Sequence, residues 1–141
     1  MKLCMAKQTP EKQIENQILQ WMHLFPNKIF AWKNNTTGVF DPNKHVFRTL
    51  TGFSITGVSD ILGIIKPGHM VAIEVKTPQS IKQWLKFNEQ GFQPTSSQVK
   101  AWKRAREQKA FLDRVESMGG VAGVAASLDD AQILLDDFLR D

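Results

Sequence analysis

Hydrophobic and polar positions follow two different periods along this chain, and the changes of period divide it into elements. Ile14, Ile18, Trp21, Met22 and Phe25 recur at the three- and four-residue spacing of an amphipathic helix. Thr9-Pro10-Glu11 supplies its start: a hydroxyl at the N-cap, proline in the first turn, then an acid against the helix dipole. Pro26-Asn27 ends it. Lys28–Lys33 (KIFAWK) predicts a strand, and Asn34-Asn35-Thr36-Thr37-Gly38 a polar loop. From Val39 to Thr56, Val46, Phe47, Phe53 and Ile55 are broken by Pro42 and Gly52, which predicts loop with short strands.

A hairpin follows. Asp60–Ile65 is apolar after its first residue, Lys66-Pro67-Gly68-His69 has turn chemistry, and Met70–Lys76 predicts the second strand. Ser80–Gly91 predicts a helix of weak periodicity. Pro94-Thr95-Ser96-Ser97 starts another that runs to Met118, where Gly119-Gly120 stops it. Val121–Ala126 is a short strand of small residues. Ser127-Leu128-Asp129-Asp130 matches a capping box, with Asp for the usual Glu, ahead of a last helix ending near Leu139.

Several polar side chains break these patterns by pointing inward. Glu74 and Lys76 are two apart on a strand, hence on one side of it, among Val71, Ala72, Ile73 and Val75. A carboxylate and an ammonium there are costly unless paired, metal-bound or catalytic. A Pro67-Gly68 turn sets Asp60 beside Val75, and a one-residue bulge sets it opposite Glu74 or Lys76. Either way two carboxylates and a lysine converge at one end of the sheet. On a helical wheel of about 100° per residue, Glu15 falls inside the apolar arc of Ile14, Ile18, Leu19, Met22 and Phe25. By the same construction Gln108 sits at the centre of the apolar face made by Ala101, Ala105, Phe111, Leu112 and Val115, with Gln98 at its margin.

Charge is uneven along the chain. Thr77 to Leu112 holds Lys82, Lys86, Lys100, Lys103, Arg104, Arg106 and Lys109 against Glu89 and Glu107, whereas the last fifteen residues carry five aspartates against Arg140. A basic stretch that also holds Trp84 and Trp102 suits a phosphate-tracking surface. At 141 residues, with 42% hydrophobic residues and a net charge of +4, the chain fits one globular domain and is too apolar for a mostly disordered one. No run approaches the ~20 apolar residues that cross a bilayer, and the N-terminal residues lack the apolar core of a secretory signal. The expectation is therefore a cytoplasmic protein without a membrane partner. One cysteine (Cys4) and scattered His23, His45 and His69 make a poor zinc site.

The ordered set Glu15, Gly57-Val58-Ser59-Asp60, Ile73-Glu74-Val75-Lys76 and Gln108 before Gly119-Gly120 resembles the VRR-NUC nucleases, a branch of the PD-(D/E)XK superfamily. Phe30–Gly38 is similar to the motif near the first core strand of stand-alone phage and bacterial members. The likeness spans roughly Glu11 to Ala126, with Ser59 in place of the superfamily's proline. It implies an α/β restriction-endonuclease-like core, a mixed central sheet flanked by helices, filling residues 1–141 as one domain. Pro78–Lys103 would hold an insertion, and a C-terminal helix would follow the core.

The resemblance implies a DNA endonuclease dependent on Mg²⁺ or Mn²⁺. Asp60 and Glu74 would be catalytic metal ligands, with the Val75 carbonyl and Glu15 completing the set. Lys76 would activate or position the attacking water, as base or as fixed cation. Gln108 would orient the site or the substrate, or Gln98 would do so if the insertion lies elsewhere. Lys33, Asn34, Lys100, Lys103 and Arg104 are the expected DNA contacts. Oxygen ligands without cysteine or clustered histidine suit Mg²⁺ or Mn²⁺, and phosphodiester hydrolysis is chemistry that such ions support. Stand-alone members imply a homodimer, encoded by a phage or prophage and acting on branched DNA such as four-way junctions in a bacterial cell. The rival expectation is a non-catalytic DNA-binding or replication-accessory module that uses the basic helix.

Overall fold

A computed structural model describes residues 8–34, 39–41, 46–48 and 55–140. Cys4, His45 and the predicted loop residues 35–38 lie outside them, as do positions 42–45 and 49–54 of the segment expected to be loop with short strands. Helix α1 (Pro10–Met22) starts as its sequence dictates, with the Thr9 hydroxyl accepting from the Lys12 N–H at 3.3 Å. Strand β1 (Ile29–Lys33) follows, then two short strands, β2 (Val39–Asp41) and β3 (Val46–Arg48), which pair antiparallel in a sheet of their own. Strands β4 (Ile61–Ile65) and β5 (His69–Val75) form the hairpin. Helices α2 (Ser80–Phe87) and α3 (Val99–Ser117), strand β6 (Val121–Ala125) and helix α4 (Leu128–Leu139) complete the chain.

The main sheet runs β1-β4-β5-β6, antiparallel at its first two pairings and parallel between β5 and β6. It is a mixed sheet with helices on both faces. Val71, Ile73 and Val75 point to one face and pack with Ile61, Ile65, Ile18 and Met22 of α1, and Ala131 and Leu135 of α4. Ala72 points to the other, with Trp84 and Phe87 of α2 and Ala105, Leu112 and Val115 of α3. Burying such side chains removes roughly 1.5–3 kcal/mol of exposure cost apiece, which is what holds helices and sheet together.

The predicted stop and start signals close these elements. Past the end of α3, Gly119 takes φ +93°, a conformation glycine adopts without steric cost, while Gly119 N–H donates to Glu116 O at 3.0 Å and Gly120 N–H to Val115 O at 2.9 Å. At α4, Ser127 Oγ accepts from Asp130 N–H at 3.1 Å. Asp130 Oδ2 accepts in return from Ala126 N–H at 2.8 Å, a reciprocal cap shifted by one residue from the usual box.

Two expectations need correction. The helix expected over Ser80–Gly91 ends at Phe87, and the next begins at Val99 rather than in the Pro94–Ser97 cluster. Trp84, expected on a phosphate-binding surface, is buried: it points from α2 beneath α3 and forms part of the core. Among the described residues no helix is long and apolar enough to cross a membrane.

Candidate active site

The inward-pointing polar residues collect around the end of the sheet where β5 finishes. The hairpin turn decides how. Its loop is three residues, Lys66–Gly68, with Ile65 facing His69 and Ile61 facing Ile73. The register anticipated from a two-residue turn is therefore off by one, and the pairing continued past Ile61 brings Asp60 opposite Glu74 rather than beside Val75. A one-residue slip moves a side chain to the other face of a strand, so the three-residue loop selects, of the two arrangements the sequence left open, the one that turns Asp60 and Glu74 toward each other.

Asp60 is held on both sides. Its carbonyl accepts from Asn34 N–H at 2.8 Å, anchoring it to the end of β1. Its Oδ2 accepts from Val75 N–H, also at 2.8 Å, anchoring it to β5. Glu74 is 2% exposed, its Oε1 lies 3.6 Å from Lys76 Nζ, and its Oε2 is buried with no hydrogen-bond partner. Lys76 N–H donates to Ala125 O at 2.9 Å, so the ladder between β5 and β6 continues up to the lysine.

This surrounding resists a negative charge on Glu74. Burial pushes its carboxyl up to about 8; the charge of Asp60 adds to the rise, and Lys76 offsets part of it. Adjacent carboxyls resist ionising together, so these surroundings favour the protonated form of Glu74, with Lys76 the one neighbour working against it.

Helix α1 contributes two acids from the opposite face of the sheet. Glu15 is buried, as the helical wheel requires, and meets Lys33 Nζ at 3.3 Å; its carboxylate in turn holds the Lys33 ammonium above its usual range. Glu11, one turn earlier on the same helix face, was visible in the sequence as a first-turn acid and as the i−4 neighbour of Glu15, but not as a site residue. Burial pushes its carboxyl up, and the charges of Asp60 and Glu15 act in the same direction against Lys76 and Arg104. Glu11 thus lies within electrostatic reach of the Asp60–Lys76 end of the sheet. Thr9, Pro10, Glu11, Lys12, Glu15 and Thr77 line an open cleft of about 450 Å³ there.

Gln108 points inward from α3, 4% exposed, and its Oε1 accepts from Trp84 Nε1 at 2.9 Å. The amide is thereby committed to holding α2 against α3, a partner the sequence did not indicate. Gln98 accepts from Thr95 N–H at 3.0 Å in the turn before α3. Gly57 (φ +76°) carries the loop leading to Asp60 directly over α3, where a Cβ would stand 2.5 Å from the Glu107 carbonyl and 2.8 Å from Gln108 N. Ser59 is fully buried with no partner for its hydroxyl. Of the expected DNA contacts, Lys100, Lys103 and Arg104 are exposed along α3, Lys33 is half-exposed beside Glu15, and Asn34 spends its backbone N–H on Asp60.

Among the described residues, no three His, Cys, Asp or Glu side chains stand together as a metal cage. What the end of β5 offers is a two-carboxylate anchor, Asp60 and Glu74, with the Val75 main chain between them and an unsatisfied oxygen on Glu74. Hard divalent ions that keep several waters need no more than one or two carboxylates from the protein, so the donors fit Mg²⁺ or Mn²⁺ as an anchor. Glu15 lies against Lys33, and its buried Oε1 has no hydrogen-bond partner. No protein family, curated protein or solved structure matches the chain.

Proposed function

We propose that this chain is a divalent-metal-dependent DNA endonuclease of the VRR-NUC type, with a PD-(D/E)XK-like core. One observation carries the reading: two opposed carboxyls at the end of a buried strand, one with an oxygen lacking any partner, and a lysine 3.6 Å away. A buried acidic pair of this kind is expensive to maintain and has a use where a cation is to be bound.

Asp60 and Glu74 would hold Mg²⁺ or Mn²⁺, with the Val75 carbonyl alongside. When bound, such an ion supplies a hydroxide nucleophile and neutralises charge on the phosphate oxygens. Glu74 would hold the ion in its ionised form, so that binding would release a proton to solvent. Lys76, fixed at the end of the β5–β6 ladder, directs its ammonium toward the same point and would orient the attacking water and steady the developing charge. Gln108 acts as a positioning residue through Trp84. Lys100, Lys103 and Arg104 would hold backbone phosphates, which locates DNA without reading its sequence. By resemblance the substrate is branched DNA such as a four-way junction, cut by a homodimer.

Purified protein is to be incubated with supercoiled plasmid and with four-way junctions in Mg²⁺ or Mn²⁺. The expected result is cleavage that falls by at least about 100-fold in Lys76→Ala, with gel-shift binding intact. Binding without cleavage by the unaltered chain, at every protein concentration, would instead establish the accessory-module reading, which the exposed cations of α3 equally suit.

A further inference from the structure

Helices α2 and α3 leave part of the Glu74 face of the sheet bare. They cover Ala72, Ala122 and Val124 and reach Leu62. The neighbouring cross-strand row, Phe30–Ile64–Met70, stays open, with exposures of 67%, 45% and 40%. Trp32, two residues along β1 from Phe30 and so on the same side, is 41% exposed; the two ring centroids are 5.2 Å apart. The next same-side position, one residue past the end of β1, is Asn34, whose N–H is bonded to Asp60. Aromatic pair and carboxylate pair therefore share one face, with Trp32 roughly 7 Å along the strand from the row that holds Asp60.

The charge around this face identifies its occupant. Helices α2 and α3, on its side, carry eight basic and three acidic residues, whereas α1 and α4 behind the sheet carry one basic and six acidic. An apolar protein partner needs no such asymmetry, but a polyanion does. Exposed aromatic rings on the same face as a basic surface are the combination that binds single strands, because every base offers a stacking surface. Bases inside a duplex are already stacked on one another and leave no face free for the two rings.

We propose that Phe30 and Trp32 form a stacking platform for unpaired nucleotides, so that the DNA taken up carries a single-stranded segment next to the point of cleavage. The placement of the cut rests on the nuclease reading; the platform itself does not. Its test is fluorescence anisotropy on the whole chain without divalent ions, using oligothymidylate of about 15 nucleotides and a hairpin duplex of equal charge. Trp32→Ala and Phe30→Ala should each weaken oligothymidylate binding about tenfold, and Trp32→Phe should restore most of it. Duplex affinity and the salt dependence should stay within about twofold, since no phosphate contact is removed.

Phe30→Leu keeps apolar surface while removing the ring, and serves if an alanine variant does not fold. Unchanged oligothymidylate affinity, no oligothymidylate binding by the unaltered chain, or equal losses on both probes overturns the platform. So does a halving of the mass in solution on Trp32→Ala, which would assign the face to a second copy of the chain. A protein that binds single strands through Trp32 yet cuts nothing refutes the nuclease and leaves the platform standing. One that cuts DNA while its single-strand affinity ignores Trp32 refutes only the platform.

Discussion

The two faces of the central sheet are built to different ends. Against α1 and α4 the packing is closed: Ile18, Met22, Ile61, Ile65, Val71, Ile73, Val75 and Leu135 are all fully buried. Against α2 and α3 the core is thinner and interrupted. It includes Gln108 bonded to Trp84, is bordered by the buried Glu74, and gives way to the open row of Phe30, Ile64 and Met70. Apolar burial on one side supplies stability that the other side can spend on buried charge and exposed rings. The separation has a physical logic, since a buried unsatisfied carboxylate destabilises whatever element carries it unless the opposite side of that element is anchored.

The sharpest way to break the comparison is to neutralise Glu74. Glu74→Gln keeps the shape and removes the charge, so cleavage should fall by at least about 100-fold, as for Lys76. Stability should respond in the other sense. The carboxyl ordinarily titrates at 4.5 and in the fold at about 8, so the folded state holds the extra proton across that interval. Stability from this group is complete below the lower value and lost as pH rises through the upper. Melting in EDTA should show the unaltered chain weakening from pH 4.5 to about 8, with a flatter profile for Glu74→Gln and a higher melting temperature at the alkaline end. Coincident pH profiles would show that Glu74 stores no proton.

Gly57→Ala attacks the joint between the Asp60 loop and α3. The left-handed φ and the 2.5 Å approach to the Glu107 carbonyl both forbid a side chain. Urea unfolding should register a loss of ~2 kcal/mol or more, and cleavage should fall further than stability alone explains because Asp60 shifts. Retention of full activity would mean the loop position does not matter to the chemistry.

The mildest test compares surface charges. Removing Lys100, Lys103 or Arg104 singly should weaken DNA binding on every sequence alike and reduce the slope of log affinity against log salt by about one each. Asp136→Asn and Asp137→Asn on α4 loosen exposed pairs with Arg140. They should change stability by less than about 0.5 kcal/mol and leave the salt slope alone. Equal effects from both sets would erase the distinction between the faces.

The sequence carried the local part of this structure. Helical periodicity placed Glu15 and Gln108 inward, and both are buried; alternation placed Glu74 and Lys76 on one side of a strand, and their head groups lie 3.6 Å apart. Capping residues at Thr9, Ser127 and Gly119 marked true ends, because caps are satisfied within a few residues of the chain. Tertiary structure alone decided the rest. The parity that turns Asp60 toward Glu74 hung on a single residue of turn length. That Lys33 would claim Glu15, that Trp84 would claim Gln108, and that Glu11 would come within reach of Asp60 are contacts between residues many positions apart. No local period encodes them, since which of several inward polar groups meet is set by how helices dock on the sheet.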